Sequence, residues 1–449
     1  MWRALCLLLA VVGSAEAAGR PGIEGALRAF VDSGTVPGYV AVLVTPAGAR
    51  VLKAGSLETT TLVGIASVTK VFTTVALADL IREGKVQLDD PVRAVIPAAR
   101  HLPKWDGREI TLQDLATHTS ALAAGQSGQP FAGGLRWYSP RLWRILFRRW
   151  ILRQNAGALG GVTWDDLFSF LASSKLDRVP GSKFEYSNVG MGLLGHAVAT
   201  KAGTTYEEAV LARVCRPLHL DRTTLTLPPN TPPPFGHLDL GPLAAAGGFH
   251  STAHDLAGFV KAALGMGTPP SLADDFAITF KPQGKDAGGK TLMLGWQIDE
   301  ATGHLYHAGL THAFIGIDHK KHVGVVLILG GGLNGIEGLG LGILNALGGR
   351  PADLPKPRVA IDLPAADLAG RVGAWRFDKD GWVEIAVEGR ALKAQFMKGS
   401  KKGGVAVLWP ESKTRFFCRE WDCSADFAPD GTSVKIRMYS WEGVYKKER

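Results

Sequence analysis

From residue 67 the chain reads Ser67-Val68-Thr69-Lys70 and then Val71-Phe72-Thr73-Thr74-Val75-Ala76-Leu77-Ala78-Asp79-Leu80-Ile81, almost without a polar break. A helix that is apolar nearly all round must be enclosed by other elements, so this run predicts a rigid central axle. Gly84 supplies the left-handed stop just past its end. Enclosing it takes a large core, which 449 residues with 46% hydrophobic and 20% charged content can build. Residues three apart share a helix face, which sets Lys70 one turn from Ser67 and beside its hydroxyl. The serine stands in the first turn, where unpaired N–H groups and the helix dipole favour negative charge. Nucleophilic acyl transfer needs that setting. The tetrad alone is weak, since a chain of this length holds on the order of one Ser-x-x-Lys by chance.

The chain opens with Met1-Trp2-Arg3, an apolar stretch from Ala4 to Val12, and small residues at Ala15 and Ala17. This pattern predicts a cleaved secretory signal over residues 1–17 and a secreted or periplasmic protein. The alternative is an uncleaved anchor, for which the stretch is short of the roughly 18 residues that span a bilayer. Cys6 falls in the signal, leaving three cysteines. Cys418 and Cys423 are close enough to clip a hairpin in an oxidising compartment, or are reduced packing residues, while Cys215 is expected to be free and buried. The formal charge of +9 comes without a nucleic-acid motif and fits weak attraction to anionic wall or membrane surfaces.

Tyr39–Val44 and Ala49–Leu52, joined by Pro46-Ala47-Gly48, read as paired strands. Thr111-Leu112-Gln113-Asp114 reads as a helix-entry box. Residues 136–153 interleave Arg136, Arg141, Arg144, Arg148, Arg149 and Arg153 with Trp137, Tyr138, Trp143, Phe147, Trp150 and Ile151. They predict a basic amphipathic helix, which has three possible uses: contact with an anionic membrane surface, a lid, or a packed helix with a solvated arginine face. Leu294–Ile298, Leu305–Ala308 and His322–Leu329 read as strands, and 336–347 as a closing helix. The order of elements argues for an antiparallel α+β fold. Gly348–Pro357 marks a linker. Beyond it Trp382–Val387, Ala391–Phe396, Val405–Leu408 and Lys435–Met438 predict a small all-β domain, barrel or sandwich. The expected division is 18–349 and 350–449.

Two further clusters carry chemistry. Phe184-Glu185-Tyr186-Ser187-Asn188 offers a phenol and an amide. His307-Ala308-Gly309-Leu310 ends a strand with a glycine that lets substrate approach, leaving the Leu310 N–H to act with that of Ser67 as an oxyanion hole. His118 reads as a buried structural histidine, Trp296 as core, and Gly247-Gly248 as a tight turn beside the site. His250, His254 and His312 lack zinc spacing, and no metal or cofactor is expected.

With its Ser-x-x-Lys, Tyr-x-Asn and His-x-Gly boxes in this order, the chain resembles the serine β-lactamase and penicillin-binding protein superfamily. The Tyr-x-Asn form is similar to the class C β-lactamase-related branch, which includes D-alanyl-D-alanine carboxypeptidases and esterases. Asp114–Leu122, Pro180–Asn188 and Ala246–Leu256 add to the likeness, which spans residues ~25–347. The resemblance implies a five-stranded antiparallel sheet flanked by helices, a helical subdomain, and a site between them. It implies Ser67 as nucleophile, Lys70 and Tyr186 as its proton-handling partners, and Asn188, His307, Gly309 and Leu310 as substrate-binding positions. In one assignment Lys70 lowers the Tyr186 phenol so that it takes the serine proton; in the other Lys70 is the base. Substrates would be D-alanyl cell-wall peptides, small esters or β-lactams, or the chain would be a non-catalytic binder. His307 stands where β-lactamases usually carry lysine, which argues against an efficient β-lactamase. His312-Ala313 stands where glycine is usual and is expected to narrow the pocket beside Leu310. Arginines of 136–153 are candidates for the missing cation.

Overall fold

The computed structural model describes residues 22–122 and 162–448, apart from 232–233, 311, 334, 379–380, 399–400, 420–422 and 439–440. The expected signal segment and the basic stretch 136–153 lie outside the described residues.

The first unit is built on one antiparallel sheet. In chain order its elements include α1 (Ile23–Asp32), β1 (Gly38–Thr45), β2 (Gly48–Gly55), β3 (Val63–Gly64), α2 (Thr69–Arg82), α3 (Leu112–Ala116), α4 (Asn188–Ala202), β4 (His250–Ser251) and α5 (Ala253–Ala263). They continue with β5 (Gln297–Ile298), β6 (Leu305–Gly309), β7 (Ala313–Asp318), β8 (Val323–Leu329) and α6 (Ile336–Leu347). The sheet order is β2-β1-β8-β7-β6-β5, with β3 and β4 paired separately.

Strand periodicity sorts its side chains. Val40, Val42, Val44, Val326 and Ile328 face the cluster containing α2 and α5, whereas Tyr39, Ala41, Leu43, Val325 and Leu327 face α1 and α6. Both faces are covered, so β1, β7 and β8 are buried almost throughout, and that is why they read as continuous apolar runs.

The sheet has six strands rather than the five expected. Gly295, at φ +71, breaks the predicted Leu294–Ile298 strand, and only Gln297 and Ile298 pair with β6 to add a sixth, edge position. The central strand β7 is absent from the sequence reading; it is short, carries Gly316 and shows no alternation.

The apolar run forms the expected axle: every residue from Thr69 to Leu80 is buried. It ends in a Schellman motif, with Gly84 at φ +69 and N–H bonds from Gly84 to Ile81 and from Lys85 to Leu80. Thr111 and Asp114 form the predicted capping box, and the Asp114 carboxylate also accepts both Arg108 guanidinium nitrogens.

Residues 351–364 contain no helix or strand. After them β9 (Gly373–Arg376), β10 (Gly381–Glu388), β11 (Ala391–Lys398), β12 (Lys401–Pro410), β13 (Arg415–Cys418), β14 (Cys423–Phe427), β15 (Ser433–Met438) and β16 (Trp441–Lys447) close into a barrel. Of the two all-β forms expected, the barrel is the one observed. Closure comes from β16 pairing with β9, which removes free sheet edges. Trp375, Val383, Ile385, Leu392, Leu408 and Phe416 fill the interior. Cys418 and Cys423 lie one register step beyond the Phe417–Ser424 pair, and Cys215 is buried, with burial pushing its thiol up to about 12. The two units touch where Arg419 donates to the Ser33 carbonyl and Thr35 to that of Arg358.

Candidate active site

Ser67 lies in a single 3₁₀ turn, Ala66–Val68, that feeds α2 from its N-terminal end. Ala66 before it adopts φ +43, a left-handed conformation costly for a residue with a Cβ. The surroundings hold it there: Ile65 N–H bonds to Phe249 O, and Thr69 Oγ1 accepts the Phe249 N–H.

Lys70 is fully buried on α2. Its Nζ lies 3.0 Å from Ser67 Oγ, donates to the Ala246 carbonyl at 2.5 Å and sits 4.7 Å from the Tyr186 ring centre. Among the described residues no carboxylate pairs with it. Burial therefore pulls its pKa well below the ordinary lysine value.

Tyr186 arrives on an irregular segment tied to the loop after α3. Gly181 N–H bonds to Thr119 O, Glu185 N–H to His118 O, and Ser187 N–H to His118 Nδ1 at 3.1 Å. Asp286 holds the same segment from the other side by accepting the Phe184 N–H. Ser187 then caps α4 by accepting the Gly190 N–H. The Tyr186 hydroxyl donates to Ser67 Oγ at 2.8 Å. Burial raises the phenol above its usual pKa, and that hydrogen bond opposes the rise.

His118 is buried, stacks on Tyr186 at 4.5 Å between ring centres, and is kept neutral by burial first, and next by repulsion from Lys70 whenever that amine is protonated. It is the structural histidine the sequence suggests. Asn188 is half-buried at the first position of α4, and among the described residues its amide makes no hydrogen bond.

His307, on β6, is also buried; burial and the Lys70 charge lower it to about 3. Its Nδ1 lies 3.0 Å from the Ala308 carbonyl, so Nδ1 carries the hydrogen and the ring is neutral. The position usually taken by a lysine thus supplies no fixed charge. Gly309 is required sterically, because a Cβ there would stand 2.1 Å from the Ile65 carbonyl. Leu310 follows at φ +50, half exposed. Among the described residues neither the Ser67 nor the Leu310 N–H has a backbone acceptor, so both are available as donors.

His312 has a structural partner. It is buried, with Nε2 donating to Gly64 O at 2.6 Å and its ring edge-on to Phe235, so it braces the strand leading to Ser67. The Ala246 carbonyl is a site group that the sequence reading missed. Side-chain patterns do not mark a backbone acceptor, and the neighbouring Gly247-Gly248 turn is the available hint.

Together these groups place a hydroxyl between an amine and a phenol, with two N–H donors nearby. That arrangement can deprotonate a nucleophile, protonate a leaving group and stabilise an oxyanion.

The beta-lactamase family model matches residues 23–332. The D-alanyl-D-alanine-carboxypeptidase/endopeptidase AmpH of Escherichia coli is 33% identical over 168 residues, 37% of this chain and 38% of that protein. A beta-lactamase of Escherichia coli is 29% identical over 214 residues, 45% of this chain and 48% of that protein. The chain spans less than half the length of these curated relatives. Among solved structures, a beta-lactamase/D-alanine carboxypeptidase from Yersinia pestis complexed with citrate superposes with a TM-score of 0.55 at 21% identity, covering 72% of this chain and 92% of that one. An octameric penicillin-binding protein homologue from Pyrococcus abyssi gives 0.53 at 19% identity, covering 93% and 98%. These two likenesses concern the fold.

Proposed function

The chain belongs to the beta-lactamase family of serine hydrolases, and we propose that it works through an acyl-enzyme on Ser67, acting on D-alanyl cell-wall peptides or small esters outside the cytoplasm. The observation that carries this reading is the placement of Ser67 Oγ, 3.0 Å from Lys70 Nζ and 2.8 Å from the Tyr186 hydroxyl.

Of the two bases, burial favours Lys70. It lowers the amine toward neutrality and raises the phenol away from it. Neutral Lys70 takes the Ser67 proton as Oγ bonds to the substrate carbonyl carbon, and the carbonyl oxygen gathers charge against the Ser67 and Leu310 N–H groups. The tetrahedral intermediate collapses as the leaving group takes the proton held on Lys70, whose Nζ lies beside Ser67 Oγ. Water then attacks the acyl carbonyl, returns its proton along the same path and frees Ser67. Asn188, with its free amide at the entrance to α4, orients the substrate.

β-Lactamase activity is the second reading, favoured by the resemblance to class C enzymes. The neutral His307 speaks against it, because it offers no fixed cation for a substrate carboxylate. The signal-like start of the chain supports export, and residues 136–153 support peripheral contact with an anionic membrane.

A screen of a D-Ala-D-Ala peptide, nitrocefin and p-nitrophenyl esters tests the proposal, run beside fluorescent-penicillin labelling of native protein and Ser67→Ala. Turnover of peptide or ester that disappears in Ser67→Ala is expected. Turnover that survives in Ser67→Ala overturns the reading, and dominant nitrocefin turnover transfers it to β-lactamase.

A further inference from the structure

Lys70 owes its position to a carbonyl rather than to a carboxylate. The Ala246 oxygen lies 2.5 Å from Nζ and is the strongest acceptor the amine has among the described residues. It belongs to the 3₁₀ segment 241–246, which is followed by Gly247 and in which Leu243 departs from helical dihedrals. The Gly247 and Gly248 N–H groups both bond to Ala244 O, so the last two carbonyls, of Ala245 and Ala246, are held from outside the segment.

One of them is held by Thr73. This residue is buried on α2, one turn beyond Lys70, with Oγ1 3.1 Å from Ala245 O, 3.1 Å from Thr69 O and 2.8 Å from the Tyr206 hydroxyl. Only one proton sits on Oγ1, and both carbonyls can only accept. With that proton on the two carbonyls, which lie at equal distance, the Tyr206 O–H is the donor to Thr73. The chain then runs from Tyr206 to Thr73, whose proton is shared between the Thr69 and Ala245 carbonyls. Glycines make the approach possible, since a Cβ at Gly195 would stand 2.2 Å from Ala245 Cβ and 3.1 Å from the Tyr206 ring.

The geometry points to Thr73 and Tyr206 as positioning residues for the catalytic amine: through the Ala245–Ala246 peptide they hold the carbonyl that fixes Lys70 Nζ against Ser67. Among the described residues neither side chain bonds to Ser67 or Lys70 directly. The inference rests on Lys70 taking part in acylation, as proposed above. Among the described residues the other titratable groups facing Lys70 are Tyr186, His118 and His307, none of them a carboxylate. A loosened carbonyl is therefore not replaced by another anion. Losing that acceptor disfavours the ammonium form, so the amine titrates lower while its mean position moves away from Oγ.

The test uses Thr73→Val, which keeps the shape and removes the hydroxyl, Tyr206→Phe, and Thr73→Ser as rescue. Lys70 is followed by NMR titration of 13C-labelled lysine, with its signal assigned by Lys70→Arg, and the kinetics by p-nitrophenyl ester hydrolysis. The expected result for Thr73→Val and Tyr206→Phe is a Lys70 titration displaced to lower pH by about one unit and kcat reduced on the order of tenfold at unchanged KM. Thr73→Ser restores both. Folded variants with an unmoved Lys70 titration, or a kcat loss that only follows a fall in Tm, overturn the inference. Failure of the hydrolase reading shows separately, as turnover surviving in Ser67→Ala, and the activity-independent titration still decides the role of Thr73 and Tyr206.

Discussion

Gly309→Ala is the sharpest single probe of the proposed oxyanion geometry. The new Cβ would stand 2.1 Å from Ile65 O, 3.0 Å from Ile65 C and 3.3 Å from Ala313 Cβ, where ordinary contact begins at 3.4 Å. All three neighbours are backbone or rigid, so no side-chain rotation relieves the clash. Either β6 or the Ile65–Ser67 segment must retreat by about 1 Å. Those two segments carry the Leu310 and Ser67 N–H groups, so the separation of the two donors changes with the clash. Misplacement on this scale, or the loss of one oxyanion donor, typically costs about 10²–10³ in rate, equivalent to ~3–4 kcal/mol. Overpacking adds a stability loss of roughly 1–3 kcal/mol. The assay is kcat and KM for a p-nitrophenyl ester, with thermal unfolding of the same samples. Gly338→Ala is the control: it lies in α6 with nothing within 4 Å of its added Cβ, and alanine there should be neutral or stabilising by about 0.5–1 kcal/mol. A folded Gly309→Ala enzyme with kcat within threefold of native refutes the assignment of Leu310 and Ser67 N–H as oxyanion donors.

Because burial lowers Lys70, the acid limb of kcat/KM against pH should fall well below the ordinary lysine range; a limb near 10 would identify a different base. The same shift affects stability. Between the depressed folded value and the unfolded one, the unfolded chain binds the extra proton, so stability rises with pH across that window. Lys70→Met should therefore abolish turnover yet raise Tm relative to native, more at pH 6 than at pH 9, as read by thermal denaturation. His118→Leu removes the acceptor of the buried Ser187 N–H and should cost about 1–3 kcal/mol in urea unfolding, with kcat lowered through Tyr186. Asp114→Ala dismantles the capping box and leaves Arg108 without its carboxylate; a loss of about 2 kcal/mol is expected, and an unchanged midpoint would refute the role given to that box.

What the sequence could reveal follows from how local each interaction is. Ser67 and Lys70 were legible because three residues of helix put them together wherever the helix lies. The Thr111–Asp114 box and the Gly84 stop were legible for the same reason. The barrel strands showed as alternation, since each has one face in the core and one outside. β7 did not, because burial on both faces leaves Ala313–Asp318 without a period. Helix α4 escaped too: its glycines lower helix propensity, yet Gly192 and Gly195 are what let Leu243 and Ala245 pack against it. The second half of the site depends on contacts between segments far apart. Lys70 to Ala246 and His312 to Gly64 join residues 176 and 248 apart in the chain. No pattern within either segment encodes the other.

The pairing of β1 with β8 has a temporal meaning. Tyr39 through Val44 line up with Leu329 back to Gly324, so the strand before the nucleophile helix finds its neighbour almost three hundred residues later. On a ribosome, Ser67 and Lys70 emerge early, but the sheet that backs their helix gains β8 only after α3, α4, α5, β6 and β7 have been made. Such distant pairings close late. The nascent chain thus carries Ser67 and Lys70 through most of synthesis before β6, which ends beside the Leu310 N–H, is locked into the closed sheet.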